Sequence, residues 1–294
     1  MSVDLQAILF ASMASLCWAL APLIAEDALH KLGSFHFTRL VIATAAIGLA
    51  IAALLSNVGW PKPAAVGYLL ASSFVGLILG DILIWQGLKA LGPRRNSLLY
   101  AMNVPFTVLM AYALLDERLN AMQLFGVSAA FTGILCAIAF KSAVTDGEKV
   151  GRAALGGTLA ALGGAMCQAG GAILAKPAFA MGTGALSAAA VRVGLAAIVL
   201  NAVALIARRG APKPLDRDTA WRVLGSAALG PGFGLMFLTA GLATGKAGLV
   251  STFSSLSPLL LLPLLAYRGQ RPRLMAWVGC GITMAGTVII LLKP

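Results

Sequence analysis

Apolar residues run along this chain in long blocks that short polar segments separate. Ten such blocks of about 20 residues can be drawn, and each is long enough to cross a hydrocarbon core of roughly 30 Å as a helix. Helices satisfy their own backbone hydrogen bonds, as lipid demands. The pattern therefore predicts an all-α polytopic membrane protein with ten transmembrane helices, at residues 4–25, 35–56, 64–88, 96–115, 121–140, 153–175, 184–207, 220–244, 248–267 and 274–292.

The pattern also repeats. Five glycine, proline and arginine positions coincide at one offset of 153 residues: Pro105 with Pro258, Gly126 with Gly279, Gly133 with Gly286, Arg39 with Arg192, and Pro61 with Pro214. This agreement predicts an internal duplication, with a first repeat at 1–140, a short linker at 141–152 and a second repeat at 153–294. Because each repeat crosses the membrane five times, the second copy enters from the opposite side. We expect two inverted five-helix repeats around a central cavity.

The composition is typical of a chain embedded in a lipid bilayer. The chain is 60% hydrophobic and 11% charged, with a mean hydropathy of +0.91, far from the values of a soluble domain. The net charge of +12 does not indicate nucleic-acid binding, because basic residues beside membrane spans fix topology. We expect the lipid bilayer and a small molecule as partners, and no nucleic acid.

No pattern typical of a catalytic or metal centre stands out. The four cysteines form no C-x-x-C pair. The two histidines, His30 and His36, have no third ligand nearby in sequence, whereas a zinc site needs at least three. G-x-S-x-G and Walker sequences are absent. The sequence therefore predicts no catalytic residues, no metal and no cofactor.

Polar residues inside the apolar blocks indicate where a cavity would lie. Hydrogen-bonding groups that faced lipid would be unsatisfied, so they should point inward. Four of them follow helical spacing on the fourth span: Asn96, Tyr100, Asn103 and Thr107. Others lie on the first, sixth and ninth spans: Ser15, Trp18, Gln168, Ser251, Ser254 and Ser255. These residues are predicted to line a substrate cavity, and interhelical hydrogen bonding without a ligand is the alternative.

Asp81 is the only acidic residue deep inside a predicted span. A charged aspartate at mid-bilayer depth costs roughly 2.5–3.5 kcal/mol on insertion scales, and the offset of 153 places Gly234 at the equivalent position. Trp85 lies one helical turn away. We predict that Asp81 and Trp85 belong to the cavity and that Asp81 couples transport to a proton or binds a cation. A carboxyl hydrogen-bonded to a neighbouring helix is the alternative.

Other residues have structural as well as functional interpretations. Five mid-span prolines are hinge candidates or static kinks: Pro22, Pro105, Pro231, Pro258 and Pro263. Glu117 precedes a span and is expected to cap the N-terminus of that helix. Arg39 and Arg192 start their spans and are expected to reach the interface or a neighbouring carbonyl, with binding of a substrate carboxylate as the alternative.

One set of residues resembles a known family. The pattern includes Ala90-Leu91, Ser97-Leu98, Pro105, Glu117-Arg118-Leu119, Leu124, Gly126 and Gly133, with Trp18 and Arg39 before it. It is similar to the EamA-type repeat of the drug/metabolite transporter superfamily over nearly the whole chain. The second half departs from it, since Gln270-Arg271-Pro272 replaces the Glu-Arg-Leu turn.

The resemblance implies ten helices around a central cavity and secondary transport by alternating access. We expect an exporter of small metabolites, such as amino acids, amines or related amphipathic compounds, or of drugs. It would work as a monomer in the cell (inner) membrane, because one chain holds both repeats. The alternative is a polytopic membrane enzyme or a lipid-handling protein without a carrier cycle.

Basic residues predict the orientation. Fifteen lie in loops on one side of the ten predicted spans, and five lie in loops or at the terminus on the side of both termini: Lys62, Arg118, Lys176, Lys246 and Lys293. The positive-inside rule then places both termini outside the cytoplasm. The family resemblance implies both termini inside, and we follow the charge count.

Overall fold

The computed structural model describes residues 3–139, 152–207, 215–257, 259–260, 263, 266 and 274–291. Within these ranges the regular elements are all helical. They are α1 (Val3–Leu32), α2 (Ser34–Leu55), α3 (Pro63–Ser72), α4 (Gly80–Tyr100), α5 (Asn103–Leu115), α6 (Ala121–Ala139), α7 (Arg152–Ala180), α8 (Ala185–Ile206), α9 (Arg217–Ala227), α10 (Leu235–Thr244), α11 (Ala247–Ser254) and α12 (Leu274–Leu291). Two π-helical segments, Ser73–Leu79 and Ala228–Gly234, connect α3 to α4 and α9 to α10.

The helices bear out a multi-pass membrane protein but do not establish ten spans. Six described helices are long and apolar enough to cross a membrane, or up to seven if the bent α1 is one span. Two shorter apolar helices, Ala121–Ala137 and Leu274–Ile290, fall below that length. The predicted span 248–267 includes residues outside the described ranges. The number of ten transmembrane spans and the inverted arrangement of the two repeats therefore stay predictions.

Proline explains the break in the predicted fourth span. The predicted fourth span is not continuous, because a turn at Ala101 and Met102 separates α4 from α5. Pro105 has no N–H to donate to Ala101, and the carbonyl of Ala101 instead accepts from Val104 N at 3.2 Å. In the second half α11 ends at Ser254 and a turn follows. Pro258 comes after that turn but lies outside the described residues.

The first helix is longer than predicted and bent. It continues to Leu32, and its two parts, Leu5–Ala21 and Leu23–Leu32, meet at 47°. Pro22 stands at the bend, as expected for a proline inside a helix. Pro231 lies in the second π-helical segment, so two of the five candidate prolines coincide with irregular backbone.

The glycines of the repeat hold α6 against α12. A Cβ atom at Gly279 would lie 2.5 Å from Ala137 N, and one at Gly286 would lie 2.5 Å from Ala130 N. Thr283 Oγ1 donates a hydrogen bond to the carbonyl of Ala130 at 3.3 Å. Small residues thus let the last helices of the two repeats touch through their backbones, as is common in membranes.

Candidate functional site

A cavity of about 340 Å³ lies where the two broken helices meet. Both halves of the chain contribute to its wall. Its lining residues are Trp18, Tyr100, Ala101, Asn103, Thr107, Ile134, Gln168, Ala172, Leu238, Leu242, Ala247, Val250, Ser251, Ser254, Ser255 and Ser257. Of the predicted cavity residues, this set includes Trp18, Tyr100, Asn103, Thr107, Gln168, Ser251, Ser254 and Ser255.

Asn103 joins the two halves inside the cavity. It is the first residue of α5, so the helix break brings it to the cavity wall. Its Oδ1 accepts hydrogen bonds from Ser251 Oγ at 3.0 Å and from Ser255 Oγ at 3.4 Å. Its Nδ2 donates to the carbonyl of Tyr100 at 3.0 Å. One amide therefore connects α5 to hydroxyl groups in α11 and in the turn that follows it.

The stripe predicted on the fourth span reaches the cavity at Tyr100, Asn103 and Thr107, but not at Asn96. Asn96 is buried, and its Oδ1 has no hydrogen-bond partner among the described residues and lies against Gly87. It precedes Tyr100 by one turn of the unbroken helix α4, which is about 6 Å along the helix axis. Shared helical spacing therefore does not bring Asn96 to the cavity.

Ser15 lies behind the cavity wall. Its side chain is fully buried and is not among the lining residues. Ser257, which does line the cavity, donates from Oγ to the carbonyl of Ser15 at 3.0 Å. The sequence reasoning missed Ser257, although it follows Ser254 and Ser255 at short spacing. Ser15 thus contributes a backbone acceptor for the residue that faces the cavity.

Trp18 lies at the contact between α1 and the second π-helical segment. Its Nε1 donates to the carbonyl of Gly230 at 3.2 Å. A Cβ atom at Gly234 would lie 2.5 Å from the same nitrogen. Glycine at 234 therefore makes room for the indole, whose ring also reaches the cavity.

Asp81 reaches the cavity through Gln168. It is the second residue of α4, directly after the first π-helical segment. Gln168 Nε2 donates to Asp81 Oδ1 at 3.4 Å, and Gln168 lines the cavity whereas Asp81 does not. The side chain of Trp85 lies outside the described part of the structure. The predicted Asp81–Trp85 pair therefore stays a prediction.

Glu117 caps a different helix from the one expected. Its Oε2 accepts from Ala247 N, the first residue of α11, at 2.6 Å. The following helix, α6, has its own capping pair: Gln123 N donates to Asn120 Oδ1 at 2.7 Å, and Asn120 N donates to Gln123 Oε1 at 3.1 Å. This reciprocal capping box provides hydrogen-bond partners at the start of α6. Glu117 is therefore not needed there and bonds α11 in the second half of the chain instead.

Lys176 completes this contact. Its Nζ lies 2.8 Å from Glu117 Oε1, and both side chains are less than one-fifth exposed. The same Nζ donates to the carbonyls of Gly245 at 2.6 Å and Leu242 at 3.3 Å. The orientation count treated Lys176 as a loop residue, but it lies inside α7, four residues before its end. Leu242 and Ala247 both line the cavity, so this cluster is bonded directly to two residues of the cavity wall.

Arg192 does not reach the interface. It is the eighth residue of α8 and is 2% exposed. Its Nε and Nη1 atoms have no hydrogen-bond partner among the described residues, while its carbonyl accepts from Ser73 Oγ at 2.7 Å. About two helical turns separate it from the start of α8, and neighbouring helices cover it. The snorkelling expectation is therefore wrong for Arg192; Arg39 is half-buried.

Comparison with known proteins adds the family and the fold. The model of the EamA-like transporter family matches residues 5–139 and 155–292, which correspond to the two repeats. A crystal structure described only as that of a protein is similar, with a TM-score of 0.81 and 20% sequence identity over 97% of this chain and 98% of the other. At that identity the likeness shows the fold alone. No curated protein matches the chain.

Proposed function

We propose, from the premise that this chain belongs to the EamA-like transporter family, that it exports a small amphipathic metabolite by alternating access. Membership makes it a transporter of the drug/metabolite type that acts on a small molecule as a multi-pass membrane protein. The export direction, the substrate class and the cell (inner) membrane as its location are our proposals. We also propose that the monomer is the working unit, with 1–140 and 153–294 as its two repeats.

The observation that carries the proposal is the cavity at the two helix breaks. Transporter sites typically lie near the bilayer midplane at the interface of two repeats, where discontinuous helices expose backbone polar groups. Here residues of both halves line about 340 Å³ of space, and Asn103 connects them. That volume falls at the lower end of the range for small-molecule sites.

The lining favours a substrate with an apolar or cationic part. Trp18 and Tyr100 contribute aromatic side chains to the cavity, and aromatic faces attract cations as well as apolar groups. Ser251, Ser254 and Ser255 add hydroxyl groups to the lining. We propose an amine, an amino acid or a related compound as the substrate, bound by the aromatic rings and the hydroxyl groups of the cavity.

Asp81 is proposed as the coupling residue. Within the described part of the chain its carboxylate forms no ion pair, and its hydrogen bond comes from the neutral amide of Gln168. A carboxylate inside the membrane whose hydrogen bond comes from a neutral amide can exchange a proton or bind a cation. Because Gln168 both bonds Asp81 and lines the cavity, a change in the charge of Asp81 would affect the cavity through Gln168. Its equivalent in the other half, Gly234, has no such group.

The test is flux into liposomes that contain the purified protein. A thermal-shift screen over amino acids, amines, nucleosides and common drugs first selects compounds, because a bound ligand raises the unfolding temperature by mass action. Saturable, protein-dependent flux of a selected compound supports the proposal. The two alternatives predict different results. A polytopic membrane enzyme would yield a chemically changed product, and a lipid-handling protein would move lipid, in both cases without saturable flux of the selected compound.

A further inference from the structure

The cluster around Glu117 joins three separate parts of the chain at one end of the helix bundle. We call this the amino-terminal end, because the start of α1 lies there: a Cβ atom at Gly245 would overlap Ala7. The α5–α6 turn contributes Glu117, α7 contributes Lys176, and the α10–α11 turn contributes its backbone. Lys246 adds a hydrogen bond from its Nζ to the carbonyl of Arg118 at 2.7 Å.

From this geometry we propose that Glu117 and Lys176 form the gate that closes the cavity at the amino-terminal end, and that the two positions equivalent to them by the offset of 153 form no such gate. The proposal rests on the transport function proposed above. It assigns a role to two residues outside the lining of the cavity. Their partners Leu242 and Ala247 belong to that lining, so the contacts that hold the α10–α11 turn in place also hold the adjoining part of the cavity wall.

The gate is specific because each charge matches a helix end. Glu117 accepts the free N–H at the start of α11, and Lys176 donates to carbonyls at the end of α10. Unpaired N–H groups at a helix start attract negative charge, and unpaired carbonyls at a helix end attract positive charge. The ion pair thus fixes the α10–α11 turn as well as joining two side chains.

The positions equivalent to Glu117 and Lys176 lack the residue types for such a gate. By the offset of 153, Leu23 is equivalent to Lys176 and Gln270 is equivalent to Glu117. Gln270 lies outside the described residues, but a leucine and a neutral amide cannot form an ion pair whatever their placement. Closure of the opposite end must therefore use other contacts. We infer that the protein at rest favours closure at the amino-terminal end, and that transport requires this ion pair to break.

The test measures access to the cavity and needs no substrate. In a background with all four cysteines replaced, Ser251→Cys places a single thiol on the cavity wall. An impermeant maleimide is added to vesicles of either orientation, and Ser2→Cys in a separate variant identifies the preparation that exposes the amino-terminal end. We expect slow labelling of Ser251→Cys from that end, and at least tenfold faster labelling after Lys176→Met.

A matched control uses the opposite end. Lys31→Met removes an exposed lysine whose ion pair with Asp216 does not reach the cavity, and it should leave the labelling rate unchanged. Size-exclusion profiles show whether each variant is folded. If folded Lys176→Met is labelled from the amino-terminal end no faster than the parent, the gate proposal is wrong, even where the transport function itself is demonstrated by flux.

Exchanging the two charged residues tests whether the gate needs the contacts with the helix ends or only an ion pair. Glu117→Lys combined with Lys176→Glu restores opposite charges but places each against the wrong helix end. We expect the exchanged protein to be labelled as fast as Lys176→Met. Labelling as slow as in the parent would refute the role of the helix ends. Flux of any substrate is a separate measurement, so failure of the proposed function would be recognised independently.

Discussion

Ion pairs lie at both ends of the helix bundle, but their surroundings differ. At the amino-terminal end the Glu117 and Lys176 side chains are 15% and 19% exposed, and both also bind main-chain atoms. At the opposite end Lys31 and Asp216 pair at 3.3 Å with more than half of each side chain exposed. Exposed pairs contribute little because water and salt screen them, whereas removal of one sheltered partner leaves a charge uncompensated. The two ends should therefore respond very differently to the same substitution.

The cavity between the ends shows a second difference, this time between the halves of the chain. Tyr100 and Asn103 flank the first helix break, and the offset of 153 puts Phe253 and Leu256 at the equivalent positions. The first half supplies the amide and the second half supplies the hydroxyl groups that bind it. The two halves therefore supply different groups to the same junction.

The largest loss of stability is expected when the Glu117–Lys176 ion pair at the amino-terminal end is removed. Glu117→Ala leaves Lys176 without its counter-charge and the Ala247 N–H without an acceptor, which should cost about 3 kcal/mol of stability. Thermal unfolding in detergent measures the loss. Asp216→Ala at the opposite end is the matched control and should shift the unfolding temperature far less. Equal shifts for the two variants would remove the distinction between the ends.

The second-largest effect is expected from a substitution at the junction of the two halves. Asn103→Leu removes the acceptor of Ser251 and Ser255 and should abolish flux in liposomes. Leaving buried hydroxyl groups without a partner costs about 1–3 kcal/mol, so the protein should still insert and elute as a single species. Leu256→Met at the equivalent position of the other half is the control and should retain flux. Wild-type flux in Asn103→Leu would exclude Asn103 from the pathway.

A more selective effect is expected from Asp81. If Asp81 couples transport to protons, Asp81→Asn should keep ligand binding, measured by thermal shift, while flux loses its dependence on pH. Asp116→Asn is the control, because Asp116 is an exposed acid in the α5–α6 turn and should leave the pH profile unchanged. An unchanged profile and substrate range in Asp81→Asn would make Asp81 a packing residue.

Sequence patterns predicted what depends on local or repeated features. Apolar blocks located the helices, and the offset of 153 located the paired glycines that bring α6 against α12. Helical spacing predicted that Tyr100, Asn103 and Thr107 face the cavity, and all three are among its lining residues. It did not separate them from Asn96, because spacing gives the face of a helix on which a residue lies but not the depth at which a cavity ends.

Contacts between distant segments could not be predicted in this way. Glu117 and Lys176 are far apart in sequence, and each had a satisfactory local interpretation as a cap or a loop charge. Their pairing depends on how α7 packs beside the α10–α11 turn. Similarly, the burial of Arg192 depends on the π-helical segment that packs on α8, and π-helical geometry has no clear sequence signature.

The smallest effect is expected at the exposed end, where pH sharpens the comparison. Asp216 lies just before α9, outside the apolar spans, and a hydrogen bond from Thr219 Oγ1, together with Lys31, holds its pKa below the usual range. A lowered carboxyl pKa in the folded state stabilises the protein above the pKa of the unfolded state, about 3.9, and that contribution is lost as pH falls through the folded value. Thr219→Val should therefore bring the pKa of Asp216 closer to normal and slightly reduce the unfolding temperature at neutral pH. The difference from the parent should shrink below about pH 4, and in an Asp216→Asn background it should not depend on pH. A difference that stays constant with pH in the parent background would show that Thr219 acts through packing alone.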